Sequence, residues 1–172
     1  MRILLILLVS SFFSLTGFGQ QNTNTVEYPD SGFTHKAEAK NIRIHGKKEG
    51  KWIIYSLRNE TTFDSNSDYI SYTLIVFKTG KRYGIERGYS RSGKLESLIP
   101  YLNDKANGAA KVYDTTTGKV FLETPYSNGK INGLQKVYYK PGGPIHFETT
   151  QYHNDKEGLT KYYDSTGAEI KQ

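Results

Sequence analysis

The chain contains no cysteine among its 172 residues, and it has a single Trp and only five Pro. The absence of Cys excludes disulfides, thiolate metal sites and cysteine nucleophiles. Hydrophobic residues make up only 36% of the chain, which argues against a thick helical core. Tyr and Gly are abundant instead, with 14 and 17 residues. This composition favours β-structure with solvated faces.

The sequence also lacks any long run of charge of one sign. Its formal net charge is +6, but Lys and Arg are spread along the chain, with no run longer than two. Distributed positive charge of this kind is typical of a solvated surface. Because a basic cluster and a nucleic-acid-binding motif are both missing, we expect no nucleic-acid partner.

The one long apolar run lies at the N-terminus, in residues 3–9. Arg2 precedes it, and small residues at Gly17 and Gly19 follow it, which is the pattern of a secretory signal peptide. The run is too short and too interrupted by Ser for a membrane span of roughly 20 residues. We therefore expect cleavage near Gly19, a mature chain without a transmembrane span, and a secreted or periplasmic location.

The sequence divides into three parts. Residues 1–19 are the predicted signal peptide, and residues 20–40 are a lead-in that we expect to be disordered or weakly ordered, because its start is rich in Gln, Asn and Thr. Residues 41–172 form a predicted repeat domain of about five units.

A Gly followed five residues later by a Tyr recurs along the repeat domain. The copies are residues 50–55, 84–89, 108–113, 133–138 and 158–163. The last four glycines lie 24, 25 and 25 residues apart, and a fixed period of this size indicates a repeat architecture.

Residues typical of turns lie on both sides of each copy and indicate that the repeat is a β-hairpin. A Gly, Asn or Asp followed by Lys precedes most copies, as in Asn128-Gly129-Lys130, and supplies the positive φ of a tight turn. After the Tyr, a few polar residues end in Gly, which fits a type I turn with a bulge. The segments between turns are too short and too rich in aromatic and β-branched residues for helices. The predicted fold class is therefore all-β: tandem antiparallel β-hairpin repeats in an elongated, twisted meander.

The repeat also predicts which face of the sheet is exposed. The fourth residue after the Gly is mostly apolar, as at Val112 and Val137, whereas the third is basic, as at Lys111 and Lys136. Alternation then places the basic side outward, with the repeat Tyr beside the Lys unless a bulge reverses it. Cross-strand packing explains the Tyr series, and presentation to a ligand is the alternative. The candidate binding face consists of Tyr89, Lys111, Tyr113, Lys136, Tyr138, Lys161 and Tyr163.

An insertion interrupts the period, because Gly50 and Gly84 lie 34 residues apart. Residues 61–68 read as the inserted loop, in which Asp64, Asn66 and Asp68 alternate like calcium ligands. The Gly and the distant Glu of a calcium loop are missing, so a solvated loop is favoured over a metal site.

No constellation in the sequence indicates a reaction. The four His, at positions 35, 45, 146 and 153, have no zinc-ligand spacing, and no nucleophile elbow or phosphate-binding loop is present. Glu123 and Glu148 occupy matching positions, but a surface strand offers no desolvation to shift a carboxyl pKa. We expect no catalytic residues, no cofactor and no metal, and hence no enzyme.

Residues 128–139 and 46–55, with Gly-Lys, a second Gly and then an aromatic strand, resemble MORN-type repeats, in particular the bacterial variant found in YwqK-family antitoxins. The resemblance implies antiparallel hairpins in an open array that binds partners and carries out no reaction; some eukaryotic relatives associate with membranes and lipids. A secretion signal is a departure from an antitoxin that acts in the cytosol.

These observations predict an exported, non-enzymatic protein-interaction module that binds another envelope or secreted protein through its sheet face. The alternatives are binding of an anionic glycan or lipid at the cell envelope, and an antitoxin-like neutralising partner. A hydrolase would need a deep pocket lined by acids, which a flat meander should lack.

Overall fold

The computed structural model describes residues 33–57, 69–156, 158 and 160–171. Within these residues the chain forms fourteen β-strands in one sheet, one short 3-10 helix at Lys36–Glu38, and no α-helix. The strands are β1 (Ile42–Ile44), β2 (Lys47–Leu57), β3 (Tyr69–Lys78), β4 (Lys81–Ser90), β5 (Leu95–Leu102), β6 (Lys105–Ala106), β7 (Gly108–Tyr113), β8 (Val120–Ser127), β9 (Lys130–Ile131), β10 (Gly133–Tyr138), β11 (Ile145–Tyr152), β12 (Asp155–Lys156), β13 (Lys161–Tyr163) and β14 (Glu169–Ile170).

Each strand pairs antiparallel with the next long strand in the chain. The order across the sheet is β1-β2-β3-β4-β5-β7-β8-β10-β11-β13-β14, and the two-residue strands β6, β9 and β12 pair with β5, β8 and β11. The sheet does not close on itself. The predicted all-β meander of antiparallel hairpins is confirmed.

Five two-residue tight turns join the hairpins, and all have the same backbone conformation. Both turn residues have positive φ in His45-Gly46, Thr79-Gly80, Asn103-Asp104, Asn128-Gly129 and His153-Asn154. Positive φ at both positions defines the type I′ turn, whose twist matches that of the strands it joins. Gly, Asn and Asp tolerate this conformation best, which confirms the prediction made from these residues.

The turns that follow the repeat Tyr also match the expectation. Gly93, Gly118, Gly142 and Gly167 all have positive φ. In the first of these turns, the Ser90 N–H donates to the Lys94 carbonyl and the Gly93 N–H to the Ser90 carbonyl, both at 2.9 Å. The Gly167 N–H likewise donates to the Asp164 carbonyl, so the first and last of these turns share a type I turn that ends in a left-handed Gly. The Gly118 N–H instead donates to the Asp114 carbonyl, four residues back.

Consecutive tight turns are hydrogen-bonded to each other. The N–H of the second turn residue donates to a carbonyl just after the preceding turn in four cases: Gly80 to Lys48 at 2.9 Å, Asp104 to Arg82 at 3.0 Å, Gly129 to Ala106 at 2.8 Å and Asn154 to Ile131 at 3.0 Å. These donors recur with nearly the same spacing as the repeat glycines. The sequence period is thus also the period of backbone hydrogen bonds between the tight turns, along one end of the strands.

The apolar core is small and lies on both faces of β2, β3 and β4. Phe33, Tyr72 and Leu74 form the first cluster. Trp52, Ile75 and Phe77 form the second. Leu74 and Ile75 are neighbours on one strand and both are 0% exposed, so both faces of the sheet are covered at this point.

The end of the predicted lead-in is the cover on the first cluster. Phe33 is 2% exposed, and the N–H groups of Lys40 and Asn41 both donate to the Lys51 carbonyl. Lys51 also forms an ion pair with Glu38. The described fold therefore includes the end of the predicted 20–40 segment, in which Phe33 covers the face of β3 that carries Tyr72 and Leu74. The predicted signal peptide, residues 1–19, and the predicted insertion, residues 61–68, lie outside the described residues.

The expectation that the basic side faces outward is wrong for one unit. Arg87 is only 9% exposed, although it occupies the same repeat position as Lys111 and Lys161. It lines the pocket that Phe33 also lines, so the covering segment buries this part of the basic side. In the last unit Lys161 is exposed, as expected.

Replacing Leu74 with Ala should lower the free energy of unfolding by about 2–5 kcal/mol, because the change leaves a cavity in the first core cluster. Urea denaturation followed by circular dichroism measures this. Ile170→Ala, at a half-exposed position on β14, is the control and should change the value by less than about 0.5 kcal/mol. Equal effects of the two changes would contradict this placement of the core.

Candidate functional site

The candidate binding face contains a row of alternating charges across five neighbouring strands. Lys111 lies opposite Glu123, which also lies opposite Lys136. Lys136 in turn lies opposite Glu148, and Glu148 opposite Lys161. Residues directly opposite each other share a face of the sheet, so these five side chains form one row. With the repeat tyrosines beside it we call this row the Lys–Glu–Tyr strip; it comprises Lys111, Tyr113, Glu123, Lys136, Tyr138, Glu148, Lys161 and Tyr163.

The first and last lysines of the strip are partly exposed and form long ion pairs. The Lys111 Nζ lies 3.7 Å from a carboxylate oxygen of Glu123, and the Lys161 Nζ lies 3.9 Å from one of Glu169. The two Lys side chains are 39% and 50% exposed. Exposed pairs of this kind contribute little to stability, so the row is available for other interactions.

The tyrosines of the last two units bind the carboxylates of the strip. The Tyr163 hydroxyl donates to Glu148 Oε1 at 2.6 Å, and this hydrogen bond is the main reason that the pKa of Tyr163 is raised to about 12. The pKa of Tyr138 is also raised, first by burial and then by the charge of Glu123 and a hydrogen bond to it. In each hairpin we call the strand that follows the repeat Tyr the return strand. Tyr138 and Tyr163 each contact the Glu on the return strand that precedes them in the chain.

The tyrosines stay on the Lys side because the bulge lies in the partner strand. Val112 pairs with Leu122 but Tyr113 pairs with Val120, which leaves Phe121 as the extra residue. The same shift occurs between Val137 and Tyr138. The strand that carries Lys and Tyr therefore keeps its alternation, and the reversal that a bulge would allow does not occur.

Tyr89 and Tyr113 differ from the other tyrosines of the candidate face. Tyr89 stacks on Tyr72, with ring centroids 5.0 Å apart, and packs against the first core cluster; burial raises the pKa of Tyr89. Tyr113 has Leu98 on the preceding return strand, at the position of Glu123 and Glu148. The structure therefore brings together six of the seven candidate residues and assigns Tyr89 to the core.

A ladder of polar side chains on the opposite face was missed in the sequence. The Gln135 amide donates to Thr124 at 3.0 Å, and the Gln151 amide donates to Gln135 at 2.9 Å. The Thr160 hydroxyl donates to Thr149, which is only 1% exposed. The sequence contained one indication of this ladder, because Thr124 and Thr149 lie one repeat period apart. In the part of the chain that the structure describes, no buried side-chain polar atom lacks a partner, so this ladder is a packing feature.

The described ranges contain no candidate metal centre. No group of three or more His, Asp or Glu there could hold a metal ion. His45 and His153 are first residues of tight turns, with φ of 48° and 53°, and lie in different hairpins. The described part of the chain also has no helix with the length and hydrophobicity that a membrane crossing requires.

Removing the carboxylate from Glu148 tests the hydrogen bond in the strip. In Glu148→Gln the pKa of Tyr163 should fall from about 12 towards its ordinary value of 10.0, because the phenolate no longer meets a negative acceptor. Since the folded-state pKa is the higher one, this bond stabilises the fold fully below pH 10.0, and its contribution is lost as pH rises through about 12.

The measurement is a pH titration of the tyrosine ring carbons by NMR, with Tyr163→Phe to assign the signal. Glu96→Gln, on β5 outside the strip, is the control and should leave the titration of Tyr163 unchanged. An unaltered pKa in Glu148→Gln would show that this contact is not made in solution.

Comparison with known proteins adds no family or relative. No protein-family model, no curated protein and no solved structure matches the chain. The resemblance of residues 128–139 and 46–55 to MORN-type repeats therefore stays a prediction from the sequence. A function for the Lys–Glu–Tyr strip has to be inferred from its own charges, contacts and exposure.

Proposed function

We propose that the chain is an exported, non-enzymatic repeat protein that binds another envelope or secreted protein through the Lys–Glu–Tyr strip. The observation that carries the proposal is the alternation of Lys and Glu on five adjacent strands, with phenols beside the carboxylates. The resemblance to MORN-type repeats supports it, because that resemblance implies an open array that binds partners.

The strip presents charges of both signs at a fixed spacing. Neighbouring strands are about 4.8 Å apart, so five strands span about 19 Å. A partner with the complementary pattern gains specificity, because a shift by one strand brings like charges together. The phenols of Tyr113, Tyr138 and Tyr163 add amphipathic contact area of the kind that is enriched in protein interfaces.

The same alternation argues against an anionic polymer or lipid as the ligand of the strip. Lys111 and Lys161 each lie opposite a Glu, and Lys136 lies opposite two. The row therefore has little net positive potential. An antitoxin-like role is the special case in which the bound protein is a toxin, and identification of the partner decides it.

Two adjacent tyrosines provide a matched test. Tyr163 lies in the strip, whereas Tyr162 faces the other side of β13 and contacts Phe147 at a ring distance of 6.0 Å. A protein captured from an envelope extract by the wild-type chain should lose about tenfold or more in affinity when Tyr138 and Tyr163 are both changed to Ser. Biolayer interferometry with the purified partner measures the change.

The control is Tyr162→Ser, which should keep near wild-type affinity. Circular dichroism of each variant shows that the sheet is intact. Equal losses in Tyr162→Ser and in the double variant would place the interface elsewhere, and full retention by the double variant would refute the proposal.

A second function is favoured by the line of tight turns at one end of the strands, which we call the turn edge. The first residue after each of the first four tight turns is an exposed lysine: Lys47, Lys81, Lys105 and Lys130. Hydrogen bonds between successive turns hold these lysines in line, two strands or about 10 Å apart. A line of cations suits an extended anionic glycan of the cell envelope, so this alternative belongs to the turn edge and not to the strip.

Changing the four edge lysines to Ser should abolish binding to an acidic polysaccharide such as alginate, and wild-type binding should weaken as salt rises. The matched control changes Lys94, Lys119, Lys140 and Lys171 to Ser, which removes the same charge elsewhere on the surface. Anionic vesicles in a parallel sedimentation assay distinguish lipid from glycan. Equal losses in both variants would show a response to net charge alone and would contradict a site at the turn edge.

A further inference from the structure

We infer that the pocket between residue 33 and the β3–β4 hairpin binds a small carboxylate with an apolar body about the size of one ring. The pocket has a volume of about 220 Å³. Its apolar lining includes Phe33, Val76 and Ile85, and its charged lining consists of Lys51, Lys78 and Arg87.

The apolar part of the pocket is formed by well-packed residues. Phe33 is 2% exposed, and Val76 packs against the first core cluster, which contains Phe33. Val76 and Ile85 are themselves half-buried. An apolar cavity of about 150 Å³ is enough to hold a benzene ring, so this pocket accepts a ring and a short polar group.

The charged part of the pocket selects for a negative group. Each ionisable residue of its lining is cationic or phenolic, and no carboxylate of the described residues lines it. The Lys78 Nζ lies 3.7 Å from the centroid of the Tyr83 ring, which also lines the pocket. A ring stabilises an ammonium without using its hydrogen-bond donors, so Lys78 can donate charge-assisted hydrogen bonds to a carboxylate.

Lys51 and Arg87 are the other two cations of the lining. Lys51 forms an ion pair with Glu38, and its Nζ lies 5.5 Å from the centroid of the Phe33 ring. Arg87 is 9% exposed, and Lys78 is the accessible cation of the lining. An acid with an apolar body satisfies both parts of the pocket, whereas a neutral analogue satisfies only one.

Two kinds of molecule carry a carboxylate on an apolar body. One is a free small carboxylic acid, and the other is a partner polypeptide whose C-terminal residue has an apolar side chain. Arg87 lies opposite Leu98, and Leu98 lies opposite Lys111 of the strip. The pocket and the strip therefore lie on the same face, two strands apart. The polypeptide source rests on the proposed function, whereas the free acid does not.

Titration of the ¹⁵N-labelled chain with phenylacetate, followed by the amide signals of Val76 and Ile85, tests the inference. We expect saturable shifts, which phenylacetamide, the neutral isostere, should not produce. Lys78→Met keeps an apolar side chain of similar length and should weaken phenylacetate binding by about tenfold. Lys94→Met, in the turn between β4 and β5 and outside the pocket lining, is the control and should leave binding unchanged.

Absence of shifts at the highest soluble concentration, equal binding of phenylacetamide, or unchanged affinity in Lys78→Met would each overturn the inference. Tighter binding of N-acetylphenylalanine than of phenylacetate would support it with a polypeptide end as the source, and the reverse order would support it with a free acid. Phenylacetate binding that persists in the Tyr138 and Tyr163 double variant separates this pocket from the strip, so each proposal can fail alone.

Discussion

The hydrogen bonds between successive tight turns are the constraint on which the rest of this sheet depends. In each, the N–H of a turn residue donates to a carbonyl just after the preceding turn, as from Gly129 to Ala106. Because these bonds tie one hairpin tip to the next, they fix how far each hairpin can slide along its neighbour. A slip of one residue would move every side chain to the other face. The fixed register therefore keeps each side chain of the described strands on one face.

With the register fixed, the two halves of the sheet use it differently. Around β3 both faces are covered by apolar clusters, and Leu74 and Ile75 are fully buried. In the last units small and polar residues take their place, and Thr149 and Gln151 are the buried residues. Cross-strand hydrogen bonds such as that from Gln151 to Gln135 replace apolar contacts there. Stability in the last units comes from pairing with neighbours rather than from a core.

Local features of this fold could be predicted from the sequence, whereas contacts between distant segments could not. Asn128-Gly129 needs only its own backbone conformation to form a tight turn, so its residue types indicate it directly. The pocket that Arg87 lines is also lined by Phe33, which is far away in the chain and outside the repeat. The hydrogen bond of Tyr163 to Glu148 depends on which residues of β11 and β13 lie opposite each other. A hydrophobic pattern indicates only which face of the sheet a side chain is on. A period of residue types therefore predicts the hairpins and the shared face of the repeat Lys and Tyr, but not the hydrogen bond of Tyr163 to Glu148 or the burial of Arg87.

The strip begins where the residue opposite the basic position changes from Leu to Glu. On the return strands the residue opposite the basic position is Leu98 in one unit and Glu in the next two. Before this change the face is covered and apolar, and it contains the pocket; after it the face is charged and solvated. The antiparallel strand order continues across the border. A basic residue and a Tyr recur at the same repeat positions on both sides of the border, so the change from Leu98 to Glu and the cover by Phe33 separate the pocket from the strip.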